Sequence, residues 1–172
     1  MAAPVGQHVE WAALAEQVAP RLAQIIWRLA PSGSDVEDLV SEALARTFAS
    51  WERVPAEARA AWATRVAVNL AYEQGRRAQR RYRHPQTGAA RVEIPFDETV
   101  VSRDELGTAL AQLSRRQSEV VLLRYVADLP IEEVARVTGL SSGTVRTHAD
   151  RGIAALRRLL GINRSGETDA DT

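Results

Sequence analysis

Arg76, Arg77, Arg80, Arg81 and Arg83 place five positive charges within eight residues, with no acid among them. Guanidinium groups at this density suit the neutralisation of nucleic-acid phosphates, which carries much of a protein's affinity for DNA. Two acidic stretches stand apart from them: Asp35, Glu37, Asp38 and Glu42, then Glu93, Asp97, Glu98, Asp104 and Glu105. The 22 basic residues are all arginine and are balanced by 22 acids, so charge is segregated along the chain rather than in excess. Segregation of this kind fits a protein whose separate surfaces steer partners of different charge. A second candidate lies in IEEVARVTGLSSGTVRTHAD. There Ser142, Thr144, Arg146, Thr147, Asp150 and Arg151 fall on the outer side of a helix that could read base edges in a major groove.

Other chemistries find little support. There is no cysteine, and His8, His84 and His148 are too scattered for a ligand cluster. Without lysine a Walker-type phosphate loop is impossible, and no glycine-rich fingerprint or nucleophile-base arrangement is visible. The expectation is a protein with no catalysis of its own, no cofactor and no metal. At 172 residues and 45% apolar composition the chain can form one ordinary domain or two small ones. No apolar run approaches the roughly 18 residues that span a bilayer, and MAAPVGQHVE lacks the features of a signal peptide. A soluble cytoplasmic protein is expected.

The elements that must hold these residues are helical. Leu14, Val18, Leu22, Ile25, Ile26 and Leu29 recur at spacings of three and four, followed by a break at Pro31 to Gly33. Ser34 precedes Glu37 by three, a capping-box start, and Leu39, Val40, Ala43, Leu44, Phe48 and Trp51 continue an apolar stripe. A third helix is expected from about Glu57 to Arg83, with Trp62, Val66 and Leu70 inward. From His84 to about Arg103 the periodicity fails, and prolines, Gly88 and acids indicate an extended linker. Leu106, Leu110 and Leu113 then make a short helix, and Ser114 with Gln117 opens another. The resulting plan is a first module over 10–83, a linker over 84–104, a second module over 105–161, and a polar tail over 162–172.

Within the second module each residue type has a reason. Small Ala135 lets two helices approach, Gly139 can take positive φ, Ser141 suits an N-cap, and Val134, Leu140 and Val145 face inward. The same pattern also fits a plain helical hairpin. Arg157 and Arg158 could lie along phosphates or on a solvated face.

LSRRQSEVVLLRYVADLPIEEVARVTGLSSGTVRTHADRGIAALRRLL resembles region 4 of the extracytoplasmic-function group of RNA polymerase sigma factors. SDVEDLVSEALARTFASW and AWATRVAVNLAYEQGRRAQRR resemble region 2 of the same group, in the order expected. The resemblance implies an all-α fold of two small helical domains, a three- or four-helix bundle and a helix-turn-helix domain, joined by an extended linker. It implies promoter-specific initiation: binding of core polymerase, reading of minus-35 and minus-10 elements, and opening of the duplex. Asp38, Leu39, Val40, Glu42, Leu44 and Phe48 would contact polymerase, although Ser41 stands where the family usually has glutamine. Asn69 would take a flipped minus-10 base, with Arg76, Arg77, Arg80 and Arg81 on neighbouring phosphates. Ser142, Thr144, Arg146 and Thr147 would read the minus-35 element, with Arg151 at the backbone. His148 and Ala149 depart from the arginine and leucine frequent there. Asp97 and Glu98 of the linker would act inside the polymerase channel. Promoter DNA, core polymerase and an anti-sigma protein are the implied partners of a chain that is a monomer when free. The alternatives are a dimeric stand-alone DNA-binding regulator and a sigma-like decoy that binds without initiating.

Overall fold

The computed structural model describes residues 5–31, 33–81, 91–94 and 100–162. Among these described residues seven α-helices run in order: α1 Val5–Leu29, α2 Val36–Phe48, α3 Arg59–Arg81, α4 Arg103–Gln112, α5 Arg115–Val121, α6 Ile131–Thr138 and α7 Ser142–Leu159. Short 3-10 turns at Trp51–Arg53 and Ala56–Ala58 connect α2 to α3. The stretch expected to be an extended linker holds two strands, β1 Arg91–Glu93 and β2 Val100–Ser102, paired antiparallel with Val92 opposite Val101. Strands of three residues are too short to leave an alternating pattern, and they gain order by burying Val92, Ile94 and Val101 against the helices.

Local chemistry explains most element ends. Asp35, not Ser34, caps α2: its Oδ1 accepts from the Asp38 backbone N–H at 3.0 Å. A carboxylate there also opposes the positive end of the helix dipole, which a hydroxyl cannot do. Ser114 and Gln117 form the expected capping box, and Ser141 caps α7. Gly139 ends α6 at φ 72°, where a Cβ would be strained. A further box, Ser102 with Glu105, starts α4 two residues inside the expected linker. Its hydrogen bonds from Ser102, the backbone N–H above all, hold the Glu105 carboxyl below its ordinary pKa. After α5 the helix widens into a π turn over Leu122–Val126, closed by Ala127 N–H to Leu122 O at 2.9 Å.

The first module has its own core, in which Val18, Leu22 and Ile26 of α1 meet Ala43 of α2 and Ala63, Ala67, Leu70 and Ala71 of α3. Alanine on α3 lets the three helices lie close. A second apolar cluster is shared: Ile25, Ala61 and Val68 join Val92 and Val101 of the strands, Ile94 just after β1, and the interior of α4 to α7. The two modules therefore pack on one another. Arginines tie them further, Arg103 donating to Ala30 O at the end of α1 at 3.0 Å and Arg21 to Ala127 O.

Candidate nucleic-acid and polymerase interfaces

On α7, Arg146, Thr147, Asp150 and Arg151 are exposed while Val145, Ala149, Ile153 and Leu156 are buried, so the expected reading face is outward. Ser142 and Thr144 are half-buried within the cap, where the Thr144 and Ser141 hydroxyls lie 2.9 Å apart. Thr147 donates its hydroxyl to Gly143 O at 3.1 Å, leaving its oxygen free to accept from a base. Among the described residues Arg146 makes no hydrogen bond or ion pair, so its guanidinium is available as a donor fork. Val134 and Val145 are fully buried as expected, and Leu140 is half-buried.

On α2, Asp38 and Glu42 are exposed and Leu39, Val40 and Leu44 are half-buried against the first core. The acidic edge is less bare than the local sequence indicates, since Arg46 pairs with Glu42 at 2.7 Å on the next turn. Such an exposed pair is worth well under about 1 kcal/mol and is easily exchanged. Phe48 packs on Trp11, with ring centroids 5.1 Å apart, and on His8 at 6.3 Å. Only part of its ring can reach a partner.

The third face lies on α3. Residues spaced at three and four along a helix share one side, which gathers Trp62, Arg65, Asn69, Tyr72, Arg76 and Arg80 into a single row. Arg80 is exposed and Arg76 half-buried, its guanidinium 5.9 Å from the Tyr72 ring centroid. Arg77 projects elsewhere, into a shallow groove beside Glu42, Glu73 and Leu70. The Arg81 side chain, Arg83, Asp97 and Glu98 lie outside the described residues.

The second module covers the middle of this row. Asn69 Nδ2 donates to Glu119 Oε1 at 3.4 Å, and Arg65 Nε donates to the same oxygen at 2.8 Å. Arg65 also donates to Val137 O at 2.5 Å, and the Tyr72 hydroxyl lies 3.2 Å from Ser118 Oγ. Glu119 is only 5% exposed, and Arg116 satisfies its other oxygen at 2.9 Å. Burial would raise the Glu119 pKa, but the hydrogen bond and charge of Arg65, with further bonds from Arg116 and Asn69, hold the carboxyl below its ordinary value. Arg65 and Glu119 were not among the expected site residues. The signal available in the sequence was the position of Arg65, one turn before Asn69 on the same helix side.

An outward helix that follows a tight left-handed turn, on a chain whose other half is a compact helical bundle ending in arginines, defines a helical nucleic-acid-binding protein of two modules. Comparison with known proteins makes the assignment specific: residues 14–81 match the family model Sigma-70 region 2, and residues 103–156 match Sigma-70, region 4. The chain belongs to the sigma-70 family of RNA polymerase sigma factors, in its extracytoplasmic-function group. It is 34% identical over 137 residues to the RNA polymerase sigma-E factor of Streptomyces coelicolor, covering 77% of this chain and 76% of that one. It is 30% identical over 173 residues to the ECF RNA polymerase sigma factor SigL of Mycobacterium tuberculosis, covering 93% and 96%. The fold is similar to that of the sigma factor RpoE of Bartonella quintana, solved in complex with the anti-sigma factor NepR. There the TM-score is 0.57 at 23% identity, over 87% of this chain and 95% of the other. The function that follows is promoter-specific initiation of transcription with RNA polymerase. No helix among the described residues is long and apolar enough to cross a membrane.

Proposed function

We propose that this sigma factor works without catalysis of its own, in the cytoplasm, through three surfaces. In region 2, α2 docks on core polymerase through Asp38, Glu42 and the apolar edge of Leu39, Val40, Leu44 and Phe48. Asn69 takes an extruded minus-10 base while Arg76, Arg77, Arg80 and Arg81 hold adjoining phosphates. In region 4, Ser142, Thr144, Arg146 and Thr147 read the minus-35 element and Arg151 meets the backbone, while Asp97 and Glu98 act from the linker inside polymerase. The free chain is a monomer, and an anti-sigma protein is a further partner, in keeping with the fold neighbour solved in such a complex. The observation that carries the reading is the capped, outward face of α7 with an uncommitted Arg146.

Co-elution with core polymerase tests it. Reversing charge at Asp38 and Glu42 is expected to weaken that complex about tenfold or more, because an acidic edge then no longer complements a basic surface. With arginine as the replacement, Glu42→Arg also sets two arginines one turn apart, a cost of about 0.2–0.5 kcal/mol that thermal unfolding followed by circular dichroism will register separately. Unchanged affinity at moderate salt contradicts the docking role of α2.

Arg146→Ala is expected to relax base preference at one minus-35 position, by about 1–3 kcal/mol of discrimination. Selection of promoters from a randomised library reads this directly. Equal weakening on every promoter would make Arg146 a phosphate contact.

A further inference from the structure

Trp27, near the end of α1, is the only exposed aromatic side chain among the described residues, at 48%, and neither apolar core includes it. Part of the ring is held. The Arg103 guanidinium lies 5.1 Å from its centroid while donating to Ala30 O at 3.0 Å, so the arginine fixes the indole against the end of its own helix. The pair is a fixed π surface, backed by a cation and open to solvent. Its place in the fold indicates what such a surface would meet. Helices α1 and α3 run side by side in the same direction: Glu10 pairs with Arg59 at 3.4 Å near their starts, and a Cβ on Gly75 would lie 4.0 Å from Leu29 O near their ends. At about 1.5 Å of rise per residue, Arg76 stands about 5 Å and Arg80 about 10 Å beyond Trp27 along that shared direction. Arg76 itself lies 5.9 Å from the Tyr72 ring centroid, so two arginine–aromatic pairs occur at this end of region 2. Of the two acids that follow Arg103, Glu105 is committed to the Ser102 cap and Asp104 is half-buried. Arginines interleaved with rings suit a single nucleic-acid strand, whose phosphates take the guanidinium groups and whose bases take the π-faces.

We infer that Trp27, held by Arg103, is a stacking platform for one unpaired base of the opened promoter strand, beside the phosphates on Arg76 and Arg80. The inference rests on the reading that assigns α3 to the minus-10 element, and it gives that surface a second kind of contact. Asn69 offers a donor and an acceptor to a base edge and so selects a base. A ring accepts the face of any base, so Trp27 holds the opened strand without reading it. In duplex DNA each base is stacked on its neighbours, so the platform contributes only after opening.

The lifetime of the open complex under competitor challenge, measured with the full chain in reconstituted holoenzyme, tests the platform. Trp27→Ala is expected to shorten that lifetime about tenfold, the size that loss of one stacked base carries, while closed-complex affinity and Tm stay near those of the parent. Trp27→Phe, which keeps a π-face, should remain within about twofold of the parent. Removing bases one at a time from each strand of the melted region locates the partner. At one position in one strand, an abasic site should shorten the parent's lifetime by a similar factor and add nothing to Trp27→Ala, whereas exchanging the base there for another should matter little. An unchanged lifetime for Trp27→Ala overturns the platform, and so does a loss that adds to every abasic site alike. Weaker co-elution of Trp27→Ala with core polymerase would make the indole a protein contact, and a lowered Tm would make it architectural; either overturns the inference. If Asn69→Ala leaves opening untouched, the minus-10 assignment of that residue fails instead, and the coupling between Trp27 and an abasic site still decides the platform.

Discussion

Gly152→Ala is expected to destabilise the protein by about 1 kcal/mol, and the same change in a Val121→Ala background is expected to stabilise it. A Cβ built on Gly152 meets Val121 Cγ2 at 2.5 Å, with Leu113 Cδ2 at 3.5 Å and Gln117 Cβ at 3.6 Å. The near atom belongs to a β-branched side chain that is 1% exposed, so it has no rotamer to retreat into. Overpacking of this kind costs about 1–3 kcal/mol, against a gain of up to about 1 kcal/mol for replacing glycine inside a helix. Truncating Val121 removes the first quantity and leaves the second, hence the change of sign. Thermal unfolding reads it as a Tm that falls a few degrees in one background and rises in the other. A rise in both would mean that α5 and α7 separate without cost. The contact matters to function because α5 sets the position of α7. Gly152→Leu, which forces the two helices apart, is expected to abolish minus-35 recognition while polymerase binding through α2 persists.

Asn69→Ala is expected to slow open-complex formation by about ten- to a hundredfold and to blur preference at one minus-10 base. The carboxamide can both donate to and accept from an extruded base, a contact absent while the base is stacked, and about 1–3 kcal/mol of barrier corresponds to that factor. A structural role for Asn69 would predict a lowered Tm instead. Among the described residues it bonds neither backbone nor cap, and its one long bond goes to a carboxylate that Arg65 and Arg116 already satisfy. Its loss should therefore cost well under about 1 kcal/mol of stability. On a template with a pre-melted bubble the variant should recover much of its rate. A variant that melts early and binds polymerase poorly would place Asn69 in the architecture.

The helical plan was legible in the chain because its causes are local. An apolar residue every third or fourth position, Ser114 with Gln117, Gly139 and Ser141 each act within about one turn, so their consequences can be read from neighbours in sequence. Even there, the choice between Ser34 and Asp35 as the cap of α2 turned on the entry angle of the chain, which no short pattern carries. Two three-residue strands were hidden for want of length, and the engagement of Phe48 by Trp11 for want of proximity in sequence.

Which surfaces lie open was decided by tertiary structure alone. Glu119 reads, within SRRQSEVV, as one more solvated charge. It is buried because α5 docks on α3, bringing it to Arg65 across 54 positions and to Asn69 across 50. That docking is driven by the apolar cluster joining Ile25 and Val68 to Leu110, Val120 and Leu123, whose energy depends on which faces meet rather than on any one face. The sequence by itself determined the helices, the caps and the row of arginines and asparagine on α3. Only the packing of the two modules determined that the row's centre is covered while the face of α7 stays free, because burial of a charge is a property of a pair of surfaces.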